Sequence, residues 1–237
     1  HASSDHVAAT LRRLVELEKD FQVVMVVRPD TVDSLVDGIR HLRALGVTRV
    51  DPSLDLWTHW TTDDARRLES AIAGCADLWA DALPDLSVSW FDEKTALLGR
   101  VPTGESARCG FGAGEIAVAP SGNLYPCERL IGDDAPDNPM RLHGHALAGD
   151  HFLMTRPAPG RSDEACDVCA MQSMCNTTCR CSNYVRTGHV DQPDGLLCLF
   201  NQVCLSETAR VLRRRLSTAR VREVIHVRSI ATAGSER

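Results

Sequence analysis

The sequence predicts an α/β fold over its first hundred residues, followed by a small cysteine-rich region with a β-hairpin and helices. Helical and strand-like patterns alternate up to about residue 100, the order expected of parallel βαβ units. Nine of the ten cysteines lie between Cys109 and Cys204, with only Cys75 before them. A turn signal, Pro120-Ser121-Gly122-Asn123, separates two short strand-like segments inside the cysteine-rich part.

Val7, Leu11, Leu14 and Val15 have helical spacing. Phe21 to Val27 is a valine-rich run, as expected of a strand buried on both faces of a parallel sheet. Arg28-Pro29 stops it. A helix then starts near Asp30 or Thr31, either of which is a capping residue. Val32, Leu35, Val36, Ile39, Leu42 and Leu45 form its apolar stripe, and Gly46 ends it. Val47 to Val50 reads as a short strand closed by Asp51-Pro52. Thr61-Thr62-Asp63-Asp64 opens a third helix, with Leu68, Ile72, Cys75, Leu78 and Trp79 as its stripe and Pro84 beyond its end. Cys75 falls on that stripe and reads as a core thiol. Leu86 to Phe91 is the next strand. Three strands do not close a barrel, so earlier βα units are expected on the N-terminal side of His1, which reads as a cut rather than a natural beginning. The loop from Asp51 to Trp57 follows a strand's C-terminal end, where such folds bind ligands, and makes Ser53, Asp55 and Trp57 candidate pocket residues. A plain surface loop is the alternative.

Composition excludes several classes. With 43% hydrophobic and 24% charged residues the chain is globular. No apolar run approaches the roughly 20 residues that span a bilayer. A net charge of −6 gives no electrostatic case for nucleic acid or an anionic membrane. The one basic cluster, Arg210, Arg213, Arg214 and Arg215, reads as a solvated helix face. No signal-peptide pattern follows His1, which points to the cytoplasm.

So many thiols in a cytoplasmic chain point to metal rather than disulfides. Strands over Glu115–Ala119 and Leu124–Glu128 would bring Cys127 back toward Cys109. Farther on comes Cys166-x2-Cys169-x5-Cys175-x3-Cys179, with Cys181, Cys198 and Cys204 behind it. A C-x2-C pair directs two sulfurs at one metal, and thiolates suit iron–sulfur clusters and zinc. Cys204 falls inside a helix read from Leu199 to Leu216 and reads as core. His143, His145 and His151 are loop histidines, and Asp133, Asp134 and Asp137 form an acidic loop. Arg156 to Arg161 reads as a linker and Ala231 to Arg237 as a disordered tail.

The arrangement C-x12-G-x4-C, then C-x2-C-x5-C-x3-C, then C resembles the SPASM domain of radical SAM enzymes, and Gly122-Asn-Leu-Tyr-Pro-Cys127 resembles its flanking text. The resemblance covers about residues 109 to 205, and the first hundred residues resemble the C-terminal part of a radical SAM partial (β/α) barrel. It implies domains at 1–100 (barrel part) and 105–216 (SPASM), with 217–237 as a tail. It further implies two auxiliary [4Fe–4S] clusters, one on Cys109, Cys127 and Cys179 and one on Cys166, Cys169, Cys175 and Cys198. The first set lacks a fourth thiolate; either an iron stays open or Cys181 completes it. By resemblance the intact enzyme modifies a peptide or protein by hydrogen-atom abstraction. It would use S-adenosylmethionine, a third [4Fe–4S] cluster and an electron donor such as ferredoxin or flavodoxin. The C-x3-C-x2-C motif that holds the third cluster is missing from this sequence, so the chain alone is expected to be inactive. Two rival readings stand beside it: a zinc-binding interaction module and a stand-alone electron-transfer iron–sulfur protein.

Overall fold

A computed structural model describes residues 2–99, 111, 116–148, 164–175 and 179–233. Residues 1–100 together with 202–237 make one compact unit, and 101–201 a second. Cys109, His151 and the linker Arg156–Arg161 lie outside the described residues. Among those described, no helix is long and apolar enough to cross a membrane.

The first unit is built on a parallel three-stranded sheet in the order β1-β2-β3, from Val23–Val27, Arg49–Leu54 and Ser87–Val88. Its helices are α1 (Ala2–Glu16), α2 (Leu35–Ala44), α3 (Thr62–Ala82) and α4 (Ser89–Leu98). A 3-10 turn, Val32–Ser34, leads into α2 and replaces the helix start read at Asp30 or Thr31. Leu35 and Ile39 are buried from α2, and Leu68, Ile72, Cys75 and Trp79 from α3. The α3 cap follows from its sequence: the Thr61 hydroxyl accepts from Asp64 N–H, and the Asp64 carboxylate accepts from Thr61 N–H in return. The Thr61 hydroxyl and backbone N–H, with Arg67 adding, hold the Asp64 carboxyl at about 2. Gly46, after α2, takes φ +89°, and a Cβ there would meet a Val15 methyl at 2.9 Å.

Three readings of these elements are corrected. β1 is not buried on both faces: Val24 and Val26 are 57% and 59% exposed, while Val27 on the other face is buried. The sulfur of Met25, on that covered face, would touch a Cβ placed at Gly38 of α2. β2 does not end at Asp51-Pro52 but runs through it to Leu54. β3 pairs only with Arg49 and Val50, so beyond that point β2 needs donors on one side alone and tolerates proline. The strand read from Leu86 to Phe91 is two residues long and turns at once into α4, whose Trp90, Phe91 and Lys94 are buried.

The second unit holds an antiparallel sheet in the order β4-β5-β6, from Ala117–Val118, Asn123–Tyr125 and Leu142–His145. The first two strands are the expected hairpin, shorter than read. β6 is a correction: His143-Gly144-His145, read as a loop, pairs with β5. Gly122 takes φ +93° in the turn, and a Cβ there would lie 2.3 Å from the His145 ring. In the acidic loop, Asp134 accepts from the Tyr125 hydroxyl at 2.7 Å and from Asn123 Nδ2 at 3.0 Å, so it fastens the loop to β5. Two short helices follow, α5 (Glu164–Asp167) and α6 (Arg180–Thr187). The last helix, read from Leu199 to Leu216, is α7, Gly195–Ala233; it begins in the second unit and belongs to the first from Gln202 onward. The backbone of Ala231 to Ala233, read as part of a disordered tail, is thus helical.

Candidate metal centre

The described cysteines fall into two groups and a pair, with no disulfide among them. The first group is Cys127, Cys179 and Cys181. β5 delivers Cys127 at its end, and a 3-10 turn, Glu128–Leu130, follows immediately. Cys179 occupies the position before the first turn of α6, which places Cys181 inside that turn. The two sulfurs are 3.3 Å apart. Phe111, Leu130 and Cys181 form a buried cluster with Cys127, Cys179, Met140, Tyr184, Val185 and Val190 packed against it.

The electrostatics of this group are those of thiols competing for a proton in a half-dry place. A hydrogen bond from Cys181 pulls the Cys179 thiol well below its ordinary range; burial opposes that, and Ser182 and Arg129 add to it. Cys181 is pushed up by its bond to Cys179 and then by burial. Burial raises Cys127. Thiolate character is what a metal requires.

The second group is Cys166, Cys169, Cys175 and Cys198. A ladder of turns sets the first three: Cys169 N–H donates to the Cys166 carbonyl at 3.1 Å, Gln172 N–H to Cys169 at 3.0 Å, and Cys175 N–H to Gln172 at 3.2 Å. Cys198 stands in the first turn of α7, placed by Asp194, whose side chain accepts from Leu197 N–H at 3.0 Å and whose carbonyl accepts from Cys198 N–H at 3.1 Å. Burial chiefly raises the Cys198 thiol, with Cys175, Cys166, Asp194 and Cys169 adding to the shift. Two ion pairs brace the α6–α7 connection, Arg180 with Asp191 at 2.9 Å and Arg186 with Asp194 at 2.7 Å.

The pair is Cys75 and Cys204, both buried in the first unit, where burial lifts Cys75 to about 12. Burial also raises Cys204, and Cys75 adds to the shift. Such thiols suit a core and not a metal. Among the described residues no three His, Cys, Asp or Glu side chains are already drawn up around one point as a metal site. The donor chemistry of the two groups nonetheless fits a thiolate-ligated cluster, since both consist of soft thiol donors, from buried Cys181 to exposed Cys169.

The other sequence candidates make local contacts of their own. Asp55 accepts from Trp57 N–H at 3.0 Å and from Thr58, whose hydroxyl bond chiefly lowers its carboxyl, and Asp55 thereby shapes its own loop. Trp57 stands 64% exposed. Of the basic cluster, Arg210 pairs with Asp77 at 3.1 Å and Glu207 at 2.6 Å, and Arg214 with Asp77 at 3.2 Å and Asp81 at 3.6 Å, joining α7 to α3. Sequence reasoning passed over Arg129 and Ser182. The only signal for them was their position, two residues after Cys127 and one after Cys181.

No model of a known protein family matches the sequence, and no curated protein does. Solved structures do match. Native anSMEcpe with bound AdoMet aligns with a TM-score of 0.61 at 15% identity, over 86% of this chain and 59% of that one. The same protein with AdoMet and the Cp18Cys peptide aligns with a TM-score of 0.57 at 14% identity, over 86% and 60%. That protein is an anaerobic sulfatase-maturating enzyme of the radical SAM/SPASM type. The present chain spans about three-fifths of its length. Over most of its own residues, this chain has a fold similar to part of that enzyme.

Proposed function

We propose that this chain is the auxiliary-cluster portion of a radical SAM/SPASM enzyme that modifies a peptide or protein. One observation carries the reading: the cysteines gather across their sequence order. Cys179, four residues from Cys175, lies 3.3 Å from Cys181 and packs with Cys127 on the same buried cluster. A zinc ribbon has no need of that crossing.

Cys127, Cys179 and Cys181 would hold one [4Fe–4S] cluster with Cys109. Cys166, Cys169, Cys175 and Cys198 would hold the other. Four thiolates are the usual complement of each. When bound, such clusters supply a store for single electrons at low potential. The residues around them do recognisable work. Phe111, Leu130 and Met140 keep water from the first group. The Ser182 hydroxyl donates to Cys179 Sγ at 3.1 Å and favours its thiolate. Asp194 and the Arg186 pair hold Cys198 in the first turn of α7.

Residues 1–100 would form part of the barrel, with the open face of β1 and the loop after β2 turned toward S-adenosylmethionine and the peptide. The fold neighbours, solved with AdoMet and with peptides, support that assignment. The reaction would be hydrogen-atom abstraction from the peptide, with a ferredoxin or flavodoxin as electron donor, in the cytoplasm. These 237 residues contain no C-x3-C-x2-C segment, so cleavage of S-adenosylmethionine is not assigned to them.

Iron, acid-labile sulfide and zinc per chain, measured after anaerobic reconstitution, test this. About eight irons and eight sulfides with broad visible absorption are expected. About two zincs and a colourless protein would overturn the reading in favour of a zinc-stapled interaction module.

A further inference from the structure

A guanidinium is linked through one hydroxyl to the first group of thiols. Arg129 lies in the 3-10 turn after Cys127, and that turn packs on α6. Its Nη1 donates to the Ser182 hydroxyl at 3.2 Å, and the same hydroxyl donates to Cys179 Sγ at 3.1 Å. Ser182 is buried and Arg129 half-buried. The other charged side chains nearby are engaged elsewhere: Arg180 bonds Asp191 and lies 5.4 Å over the Phe111 ring, and Arg186 bonds Asp194. Glu128 accepts from the Cys127 thiol at 3.4 Å and points the opposite way in charge. Among the described residues, Arg129 is paired with no carboxylate.

We propose that Arg129 is a positioning residue that raises the reduction potential of the cluster held by Cys127, Cys179 and Cys181. It acts through its fixed charge and, by way of the Ser182 hydroxyl, through a hydrogen bond to Cys179 sulfur. The inference rests on the cluster reading above. Each electron taken up adds one negative charge to a site that thiolates already make negative. A fixed cation at half burial, where screening by water is incomplete, stabilises the more negative state. A donor hydrogen bond to a ligating sulfur acts in the same direction.

The test is an anaerobic dithionite titration of the reconstituted full chain, followed by electron paramagnetic resonance and iron content. Arg129→Gln, Arg129→Lys and Ser182→Ala are compared with the unaltered chain. Cys169→Ser, which removes a ligand of the second cluster, identifies which step is which. Arg129→Gln is expected to move only the first site's step to more negative potential. At the former midpoint its reduced-to-oxidised ratio falls about tenfold, which is about 59 mV for a one-electron couple. Arg129→Lys keeps the charge and stays nearer the unaltered chain. Ser182→Ala moves the same step less far, and it decides the matter if Arg129→Gln fails to load. Full iron with unchanged steps in the loaded variants would overturn the proposal and leave the cluster reading standing, as would an equal shift for Lys and Gln. No iron in the unaltered chain would overturn both.

Discussion

At the scale of single residues, the chemistry rests on thiols whose surroundings differ. Cys75 and Cys204 are buried among apolar neighbours and stay protonated, so they pack. Cys179 receives hydrogen bonds from Cys181 and Ser182 and lies near Arg129, so it is ready to ligate. Replacing Cys169 with Ser is therefore expected to cost about half of the reconstituted iron, read by iron and sulfide assay. Cys75→Ser should leave iron content unchanged while lowering stability by about 1–3 kcal/mol, because a hydroxyl is buried in place of a thiol. Asp64 shows the other use of a shifted group. Its folded carboxyl sits at about 2, below the ordinary value, so its contribution to stability is complete above about pH 4. That contribution is lost as pH falls toward 2. Thr61→Ala, which removes the cap, should cost about 1 kcal/mol by chemical denaturation and shrink the acid-side loss.

Elements then carry these residues to their places. The β4–β5 hairpin returns Cys127 only because Gly122 turns with φ +93° beside the His145 ring. Gly122→Ala adds a methyl group where there is no room, in a backbone region that disfavours it. A cost of about 1–3 kcal/mol is expected, with iron lost from the first site before the second, measured by denaturation and by iron assay. Asp194 has three tasks at the start of α7: it caps Leu197 N–H, supports Cys198 N–H and pairs with Arg186. Asp194→Ala is expected to weaken cluster retention at the second site, with a faster chelator-driven loss of visible absorption. The elements also show where periodicity misleads. Leu86-Ser-Val-Ser-Trp-Phe91 alternates like a strand, yet Trp90, Phe91 and Lys94 are buried from α4. The β6 segment has no apolar alternation at all, and it is a strand because β5 offers it backbone partners.

The whole molecule consists of two compact units, with α7 starting in one and continuing in the other. In the first unit, Cys204, Leu205, Thr208 and Val211 bury one face of α7, and Arg210 and Arg214 meet Asp77 and Asp81 of α3. Those exposed pairs contribute little singly, about 0–1 kcal/mol each, so the apolar face does most of the holding. In the second unit a loaded cluster would be part of the folded structure, because metal binding is linked to folding. Removing iron with a chelator is expected to speed amide hydrogen exchange chiefly in β5 and α6.

By itself the sequence determined the parallel βαβ order, the α3 cap and the spacing of the cysteines. Each depends on residues close together along the chain: Thr61 with Asp64, Leu68 with Ile72 and Cys75, Gly122 with Cys127. The family resemblance of that spacing implied that Cys179 and Cys175 serve different clusters, and it left Cys181 open. Tertiary structure alone decided that Cys181 lies against Cys179 and that Arg129 reaches Ser182 across 53 residues. It alone decided that Val24 and Val26 stand exposed and that Pro52 is tolerated inside β2. The physical reason is the same in each case. Exposure, field and hydrogen-bond partners are properties of what folds back onto a residue, and local periodicity carries no record of that.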